Sequence, residues 1–159
     1  MKYTHIEVGG IIMKRKTEKF NLKIPSVTEN LYLIREFVIK IALKAGFSTE
    51  AQEQIALAVD EACTNVIKHA HKFDARRMID INVILDSQKM TISILDKGKG
   101  FDVNKLQTPD LQKFAKESRH GGLGIYLMKT LMDDVKYEFN PGKKNQVQMT
   151  KFYQSQKSA

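Results

Sequence analysis

The spacing of apolar residues along the chain switches between a period of two and a helical repeat. Apolar and polar residues alternate over residues 20–26, which predicts a first strand ending at a proline. Apolar residues then recur three and four positions apart up to Ala45, which predicts a helix that Gly46 ends. Ser26 is expected to cap this helix, with Glu29 at the capping-box position.

The same two periodicities continue to the end of the chain. A second helix is expected from near Ser48, and two alternating runs, RMIDINVILD and KMTISILD, flank a tight DSQK turn and predict a hairpin. A third helix over about residues 123–132 precedes two more strands, DVKYEFN and QVQMTKFYQ. This order predicts an α+β fold, a two-layer α/β sandwich with helices on one face of a mixed, mainly antiparallel sheet.

Two segments lack a clear period. Residues 1–18 are expected to be an N-terminal extension that can be flexible, with Met13 as an alternative start and one folded domain over residues 19–155. Residues 97–122 are polar, contain Gly and Pro, and are long for a connection without structure. Loops of this length are usually functional lids or disordered segments.

The formal net charge of +8 at pH 7 raises the question of a nucleic-acid partner. The basic residues are spread along the chain, and the sequence has no helix-turn-helix, zinc-ligand or aromatic-basic RNA motif. We therefore expect no direct nucleic-acid contact. A basic face for an acidic protein or a nucleotide remains an open alternative.

The cysteine count and the hydropathy pattern bear on location. Cys63 is the only cysteine, so no internal disulfide can form, and a reducing compartment is the simplest assumption. No apolar run approaches the roughly 20 residues that span a membrane. The N-terminal basic cluster follows the apolar patch, the reverse of a secretory signal. We expect a cytoplasmic protein without a membrane partner.

The stretch DEACTNVIKHAH carries a carboxylate and a carboxamide, Glu61 and Asn65, one helical turn apart. The pair can be the solvated polar edge of an amphipathic helix. It can also be part of a magnesium–nucleotide site. An Asn oxygen is a suitable Mg²⁺ ligand, and a neighbouring carboxylate can take a proton from an attacking hydroxyl.

The stretch ILDKGKGFD places Asp96 at the end of a predicted strand, before Gly98, Gly100 and Phe101. Glycines permit positive φ or close approach to a ligand, and an ionised carboxylate can accept a hydrogen bond from the amine of adenine. A glycine-rich turn with a solvated Asp is the alternative. The spacing does not match a calcium loop.

The stretch RHGGLGIYLMKTLMDDV places three glycines, Gly121, Gly122 and Gly124, at the start of the third helix. Exposed amides at a helix N-terminus bind phosphate, and Arg119 and His120 just before them could add positive charge. The alternative is a flexible hinge. The spacing is neither a Rossmann fingerprint nor a P-loop.

The order and spacing of the three stretches resemble the Bergerat-type ATP site of the GHKL superfamily, which includes gyrase, the ninety-kilodalton heat-shock chaperones and histidine kinases. Within it the chain most resembles the bacterial anti-sigma factor and serine-protein kinase family. AVDEACTNVIKHAH, DKGKGFD and GGLGIYLMKTLMDDV carry the resemblance, which spans about residues 20–153. Asn145-Gln146 departs from it, since a Gly-Thr pair is common there.

The resemblance implies roles for individual residues. Glu61 would be the general base toward a substrate serine, Asn65 would coordinate Mg²⁺ on the ATP phosphates, and Asp96 would recognise the adenine amine. Residues 103–120 would form a lid over the nucleotide. The remaining implied nucleotide-binding residues are Gly98, Gly100, Phe101, Arg119 or His120, Gly121, Gly122, Leu123 and Gly124.

The resemblance also implies a function: an ATP-dependent serine-protein kinase and anti-sigma factor in a partner-switching pathway. Its substrate would be a small anti-sigma antagonist protein, a sigma factor would be a second partner, and the kinase would be a homodimer. The alternative is a non-catalytic, ATP-gated module that sequesters or activates a protein partner. Retention of Glu61 favours the kinase, because a pure binder does not need the base.

Overall fold

The structure is a computed structural model that describes residues 3–8, 11–98, 123–140 and 142–153, with side chains from residue 16 onward. Its helices are α1 (Leu31–Ala45), α2 (Thr49–Asn65) and α3 (Leu123–Leu131), with a 3-10 turn at Thr28–Asn30 and a π-helical turn at Val66–Ala70. Its strands are β1 (Tyr3–Val8), β2 (Ile11–Lys16), β3 (Glu18–Pro25), β4 (Met78–Leu85), β5 (Lys89–Asp96), β6 (Asp134–Asn140) and β7 (Lys144–Phe152).

Five of these strands form one sheet in the order β3-β4-β5-β7-β6, and each neighbouring pair is antiparallel. Alternate side chains of the central strands are buried, among them Ile81, Ile92 and Met149, and they join one core with the apolar sides of α1, α2 and α3. The opposite face is polar, and Asn21 donates there to Asp80 and Asn82. The two-layer α+β prediction is confirmed.

Helix boundaries follow the predicted signals at α2 and at the end of α1. The Ser48 hydroxyl accepts a hydrogen bond of 3.2 Å from the Ala51 amide and caps α2. Gly46 ends α1 with a φ of +88°, in the left-handed region that favours glycine. No helix in the described part of the chain is long and apolar enough to cross a membrane.

The capping box predicted at the start of α1 is wrong. Ser26 is fully buried, its hydroxyl has no hydrogen-bond partner among the described residues, and its amide donates to the Arg77 carbonyl at 2.9 Å. The 3-10 turn follows, and Asn30 donates to the Pro25 carbonyl instead of capping the helix. Ser26 thus continues the edge of the sheet, so it cannot begin a helix.

The N-terminal segment contains secondary structure that the sequence analysis did not assign. β1 and β2 pair as a separate two-stranded antiparallel sheet, with Val8 opposite Ile11. Two residues lie between them in the sequence, Gly9 and Gly10, and a Gly-Gly pair is a preferred two-residue connection in hairpins.

Candidate functional site

The polar edge of α2 meets the first turn of α3. Glu61 and Asn65 are half-buried there, and a Cβ built on Gly124 would lie 2.6 Å from Glu61 Oε2 and 3.7 Å from Asn65 Nδ2. Any larger residue at position 124 would displace the Glu61 carboxylate. The structure therefore brings together the first and third sequence motifs through a glycine that permits close helix contact.

Two further contacts hold α3 in this position. Lys151 on β7 donates to the carbonyl of Leu131, in the last turn of α3, at 2.6 Å and to Gln54 of α2 at 3.0 Å. The inward side of α3 buries Met128, and Met132 just beyond the helix is also buried. A cation at the C-terminus of a helix satisfies free carbonyls and complements the helix dipole, so Lys151 fixes α3 against α2.

A cluster of charged side chains joins α1 to α2 beside Glu61. The Arg35 guanidinium donates to Asp60 Oδ2 at 2.8 Å and also pairs with Glu53. Burial raises the pKa of Asp60, and the hydrogen bond from Arg35 opposes this shift. The cluster anchors the stretch of α2 from which Glu61 projects.

Asp96 ends β5 and is 8% exposed. Its Oδ1 accepts hydrogen bonds from the Gly98 amide at 2.7 Å and from Asn145 Nδ2 at 3.0 Å. Within the described part of the chain, both donors to this carboxylate bond the same oxygen. Oδ2 is therefore available to a further donor, such as the amine of adenine.

Gly98 lies against the end of the π-helical turn. A Cβ at this position would lie 2.5 Å from the Ala70 carbonyl oxygen and 2.8 Å from the Ala70 Cβ. Only glycine fits this close contact with Ala70. The role of Gly98 in shaping a nucleotide pocket stays a prediction. The turn itself has an i to i+5 hydrogen bond of 2.8 Å, from the His71 amide to the Val66 carbonyl.

His71 is a neighbour of Asp96 that the sequence analysis did not assign to the site. It is 3% exposed, and its Nε2 lies 3.8 Å from Asp96 Oδ1. Its Nδ1 is buried without a hydrogen-bond partner in the described part of the chain. Burial lowers the pKa of His71; Asp96 opposes this shift and Arg77 adds to it.

One cleft extends from the polar edge of α2 to the end of β5. Asn65 and Asp96 both line it, and Glu61 lies one helical turn before Asn65. The other lining residues are Ala62, Val66, Ile94, Met128, Tyr137, Phe139, Asn145, Gln146 and Val147. The cleft is thus apolar with a few convergent polar groups, as small-molecule sites usually are.

The described residues fit a magnesium nucleotide. They contain no group of three or more His, Cys, Asp or Glu residues that could hold a metal alone. Mg²⁺ on a nucleotide keeps several waters and takes its other ligands from one or two side chains and from phosphates. Asn65 offers such an oxygen, and Asp96 Oδ2 offers an acceptor for a base.

The other predicted site residues divide between described and undescribed parts of the chain. Leu123, half-exposed, and Gly124 form the first turn of α3. The predicted lid at residues 103–120 lies outside the described residues, together with Gly100, Phe101, Arg119, His120, Gly121 and Gly122. Their roles remain predictions.

Comparison with known proteins identifies the family. The profile of the histidine kinase-like ATPase domain matches residues 24–151, most of the chain. The chain belongs to the histidine kinase-like ATPase family. Serine-protein kinase RsbW of Bacillus licheniformis is 35% identical over 145 residues, 88% of this chain and 89% of the relative. Serine-protein kinase RsbW of Bacillus cereus strain AH187 is 35% identical over 146 residues, 89% of each chain.

Solved structures support the same histidine kinase-like fold. The crystal structure of RsbU and RsbW domains from Mycobacterium tuberculosis superposes with a TM-score of 0.62 at 13% identity, over 89% of this chain and 34% of that one. The chain therefore spans about a third of that protein. The SiaB–SiaC complex from Pseudomonas aeruginosa gives a TM-score of 0.58 at 8% identity, over 84% of this chain and 89% of that one.

Proposed function

We propose that this chain is an ATP-dependent serine-protein kinase that phosphorylates a small anti-sigma antagonist protein. One observation carries the proposal: Glu61 projects one helical turn from Asn65 and contacts the first turn of α3, while Asn65 shares a cleft with Asp96. A nucleotide binder needs only Asn65 and Asp96. A carboxylate beside them has the position of a general base.

The nucleotide would be held at both ends of the cleft. Asp96 Oδ2 would accept a hydrogen bond from the adenine amine, while its Oδ1 is held by the amide of Gly98, which packs closely against Ala70. The Asn65 oxygen would hold Mg²⁺, which would neutralise charge on the phosphates. Free amides at the N-terminus of α3 would bind the phosphates.

Glu61 supplies the proton chemistry of the transfer. Its carboxylate accepts the proton of the substrate serine as the serine oxygen bonds to the γ-phosphorus and the bond to ADP breaks. Gly124 limits the space open to this carboxylate, because Oε2 already lies against the α3 backbone. Glu61 is only partly buried and can then release the proton to water.

The proposed partners follow the family to which the chain belongs. The kinase acts in a partner-switching pathway of transcription regulation in the cytoplasm, binds a sigma factor as its second partner, and works as a homodimer. One observation supports the kinase part of this proposal: 35% identity to a serine-protein kinase over 88% of the chain.

Two substitutions test the assigned roles. Glu61→Ala should abolish phosphotransfer but leave Mg-ATP affinity largely intact, because the base acts only as the hydroxyl attacks. Asn65→Ala should weaken ATP binding only when Mg²⁺ is present. Glu138→Ala, which removes an exposed carboxylate on β6, is the matched control and should leave phosphotransfer and ATP affinity unchanged.

The results separate the kinase from the alternative functions. Equal loss of ATP affinity and phosphotransfer in Glu61→Ala would show a structural or metal-binding role for Glu61. An unchanged Mg²⁺ dependence in Asn65→Ala would remove that residue from the metal site. ATP binding without any phosphotransfer in the wild type would favour the non-catalytic, ATP-gated module.

A further inference from the structure

Asn145, near the start of β7, forms hydrogen bonds with both its side-chain nitrogen and its side-chain oxygen. It is 2% exposed and lies opposite Asp96 in the register of β5 and β7. Its Nδ2 donates to Asp96 Oδ1 at 3.0 Å and to the Gly98 carbonyl at 2.9 Å. Its Oδ1 accepts a hydrogen bond of 3.2 Å from the Asn140 amide.

The neighbours dictate the orientation of this amide. Asp96 Oδ1 and the Gly98 carbonyl are both acceptors, so the side of Asn145 that faces them must carry hydrogens. The Asn140 amide is a donor and must face an oxygen. The reversed amide would set oxygen against two oxygens, so one orientation is fixed.

The consequence concerns the free oxygen of Asp96. With Oδ1 held by Asn145 and the Gly98 amide, the carboxylate cannot rotate without losing two buried hydrogen bonds. We propose that Asn145 is a positioning residue that holds Asp96 with Oδ2 directed at the exocyclic amine of adenine, and so sets selectivity for that base. The proposal rests on the proposed function, in which Asp96 recognises adenine.

The Asn145 amide can donate two hydrogen bonds at once, which a smaller polar side chain cannot do. Two acceptors have to be satisfied at once, and an Asn amide has two N–H hydrogens, while a Ser or Thr hydroxyl has one. Asn145 also links the turn after β5 to the β6–β7 connection, where the Gly142 amide donates to the Gly98 carbonyl at 3.1 Å. Loss of the amide would remove one of the two hydrogen bonds to Asp96 Oδ1 and one of the two to the Gly98 carbonyl, and so loosen Asp96 and the turn together.

The test compares ATP with purine riboside triphosphate, which carries a hydrogen in place of the exocyclic amine. Equilibrium binding of both nucleotides, with Mg²⁺, is measured for the wild type, Asn145→Ala, Asn145→Thr and the control Gln148→Ala. Gln148 lies on the same strand but faces the polar side of the sheet. Thermal unfolding without nucleotide checks that each variant is folded.

We expect the wild type and Gln148→Ala to prefer ATP by roughly 10- to 100-fold, the value of a hydrogen bond to a charged acceptor. Asn145→Ala should bind ATP more weakly but the analogue with unchanged affinity, so that the two affinities differ by no more than about threefold. Asn145→Thr retains one donor and should be intermediate. If the alanine variant does not fold, the threonine variant allows the same comparison of ATP with the analogue.

Three results would overturn the inference. If the Asn145 variants retain the full preference for ATP, Asn145 does not position Asp96. If they lose affinity for both nucleotides equally, the residue has only a structural role. If the wild type itself does not distinguish the two nucleotides, the fault lies earlier, in the proposed recognition of adenine by Asp96.

Discussion

Replacing Gly124 with alanine separates the catalytic role of Glu61 from the stability of the fold. Gly124 lies in the first turn of α3, so an alanine adopts the required backbone without strain. Its Cβ, however, would lie 2.6 Å from Glu61 Oε2 and 3.5 Å from Glu61 Cδ. The clash is with the end of a flexible side chain, so the carboxylate moves while the helix stays.

The expected fall in kcat follows from the 2.6 Å distance between the alanine Cβ and Glu61 Oε2. The carboxylate must recede by about 0.8 Å to restore an ordinary contact of 3.4 Å. Since a displacement of about 1 Å can cost about 10²-fold in rate, we expect kcat to fall roughly 30- to 100-fold. Alanine favours a helix over glycine by up to about 1 kcal/mol, so Tm should stay constant or rise by about 2–4 °C.

The assay measures phosphotransfer at saturating Mg-ATP, so that any change in nucleotide affinity is separated from kcat, and thermal unfolding is measured on the same samples. Gly46→Ala is the control, because Gly46 has a φ of +88° and open space around it, far along the chain from the site. We expect it to show the opposite pattern, a lower Tm with an unchanged kcat.

Two results would refute the reasoning. An unchanged kcat in Gly124→Ala would mean that the Glu61 carboxylate is not needed where the structure holds it. A fall of more than about 5 °C in Tm would mean that the contact is a rigid clash, since one kcal/mol corresponds to about 2–4 °C in a protein of this size.

Three further predictions concern the surroundings of the site. Gly98→Ala should reduce thermal stability and ATP affinity together, because its Cβ meets the Ala70 backbone at 2.5 Å; calorimetry showing an unchanged Tm would contradict this. Burial lowers the folded-state pKa of His71, so the unfolded state binds more protons below about pH 6.5, and stability should fall as the pH drops from about 7.5 to 5.5. His71→Gln should flatten that pH dependence of Tm, and equal flattening in the exposed control His69→Gln would refute the assignment. Burial raises the pKa of the Cys63 thiol, so alkylation should track global unfolding in denaturant, and rapid labelling of the native protein would show that Cys63 is accessible.

Much of the fold could be predicted because its buried faces repeat at short range. The strands of the hairpin bury alternate residues over most of their length, and the helices bury residues three and four apart, so local spacing predicted both. The start of α1 could not be predicted from its neighbours. The Ser26 amide donates a hydrogen bond to the carbonyl of Arg77, which is far along the chain and directly precedes β4. This contact extends the pairing of β3 with β4 and keeps Ser26 out of the helix.

In the candidate site, too, short-range spacing was predictable from the sequence and long-range contacts were not. Glu61 and Asn65 lie one turn apart on one helix, so their proximity follows from helical spacing alone. The roles of Asn145 and His71 depend instead on strand register and on the π-helical turn, which place both beside Asp96. A departure at position 145 was visible in the sequence, but its hydrogen bonds depend on a pairing across 49 residues.

The central claim is that this chain transfers phosphate from ATP to a serine by means of Glu61. The most direct measurement adds γ-labelled ATP and Mg²⁺ to host lysate with either the wild-type protein or Glu61→Ala, and identifies the labelled residue by mass spectrometry. We expect one small protein to be labelled on serine with the wild type alone. No Glu61-dependent label, although both proteins bind ATP, would contradict the claim.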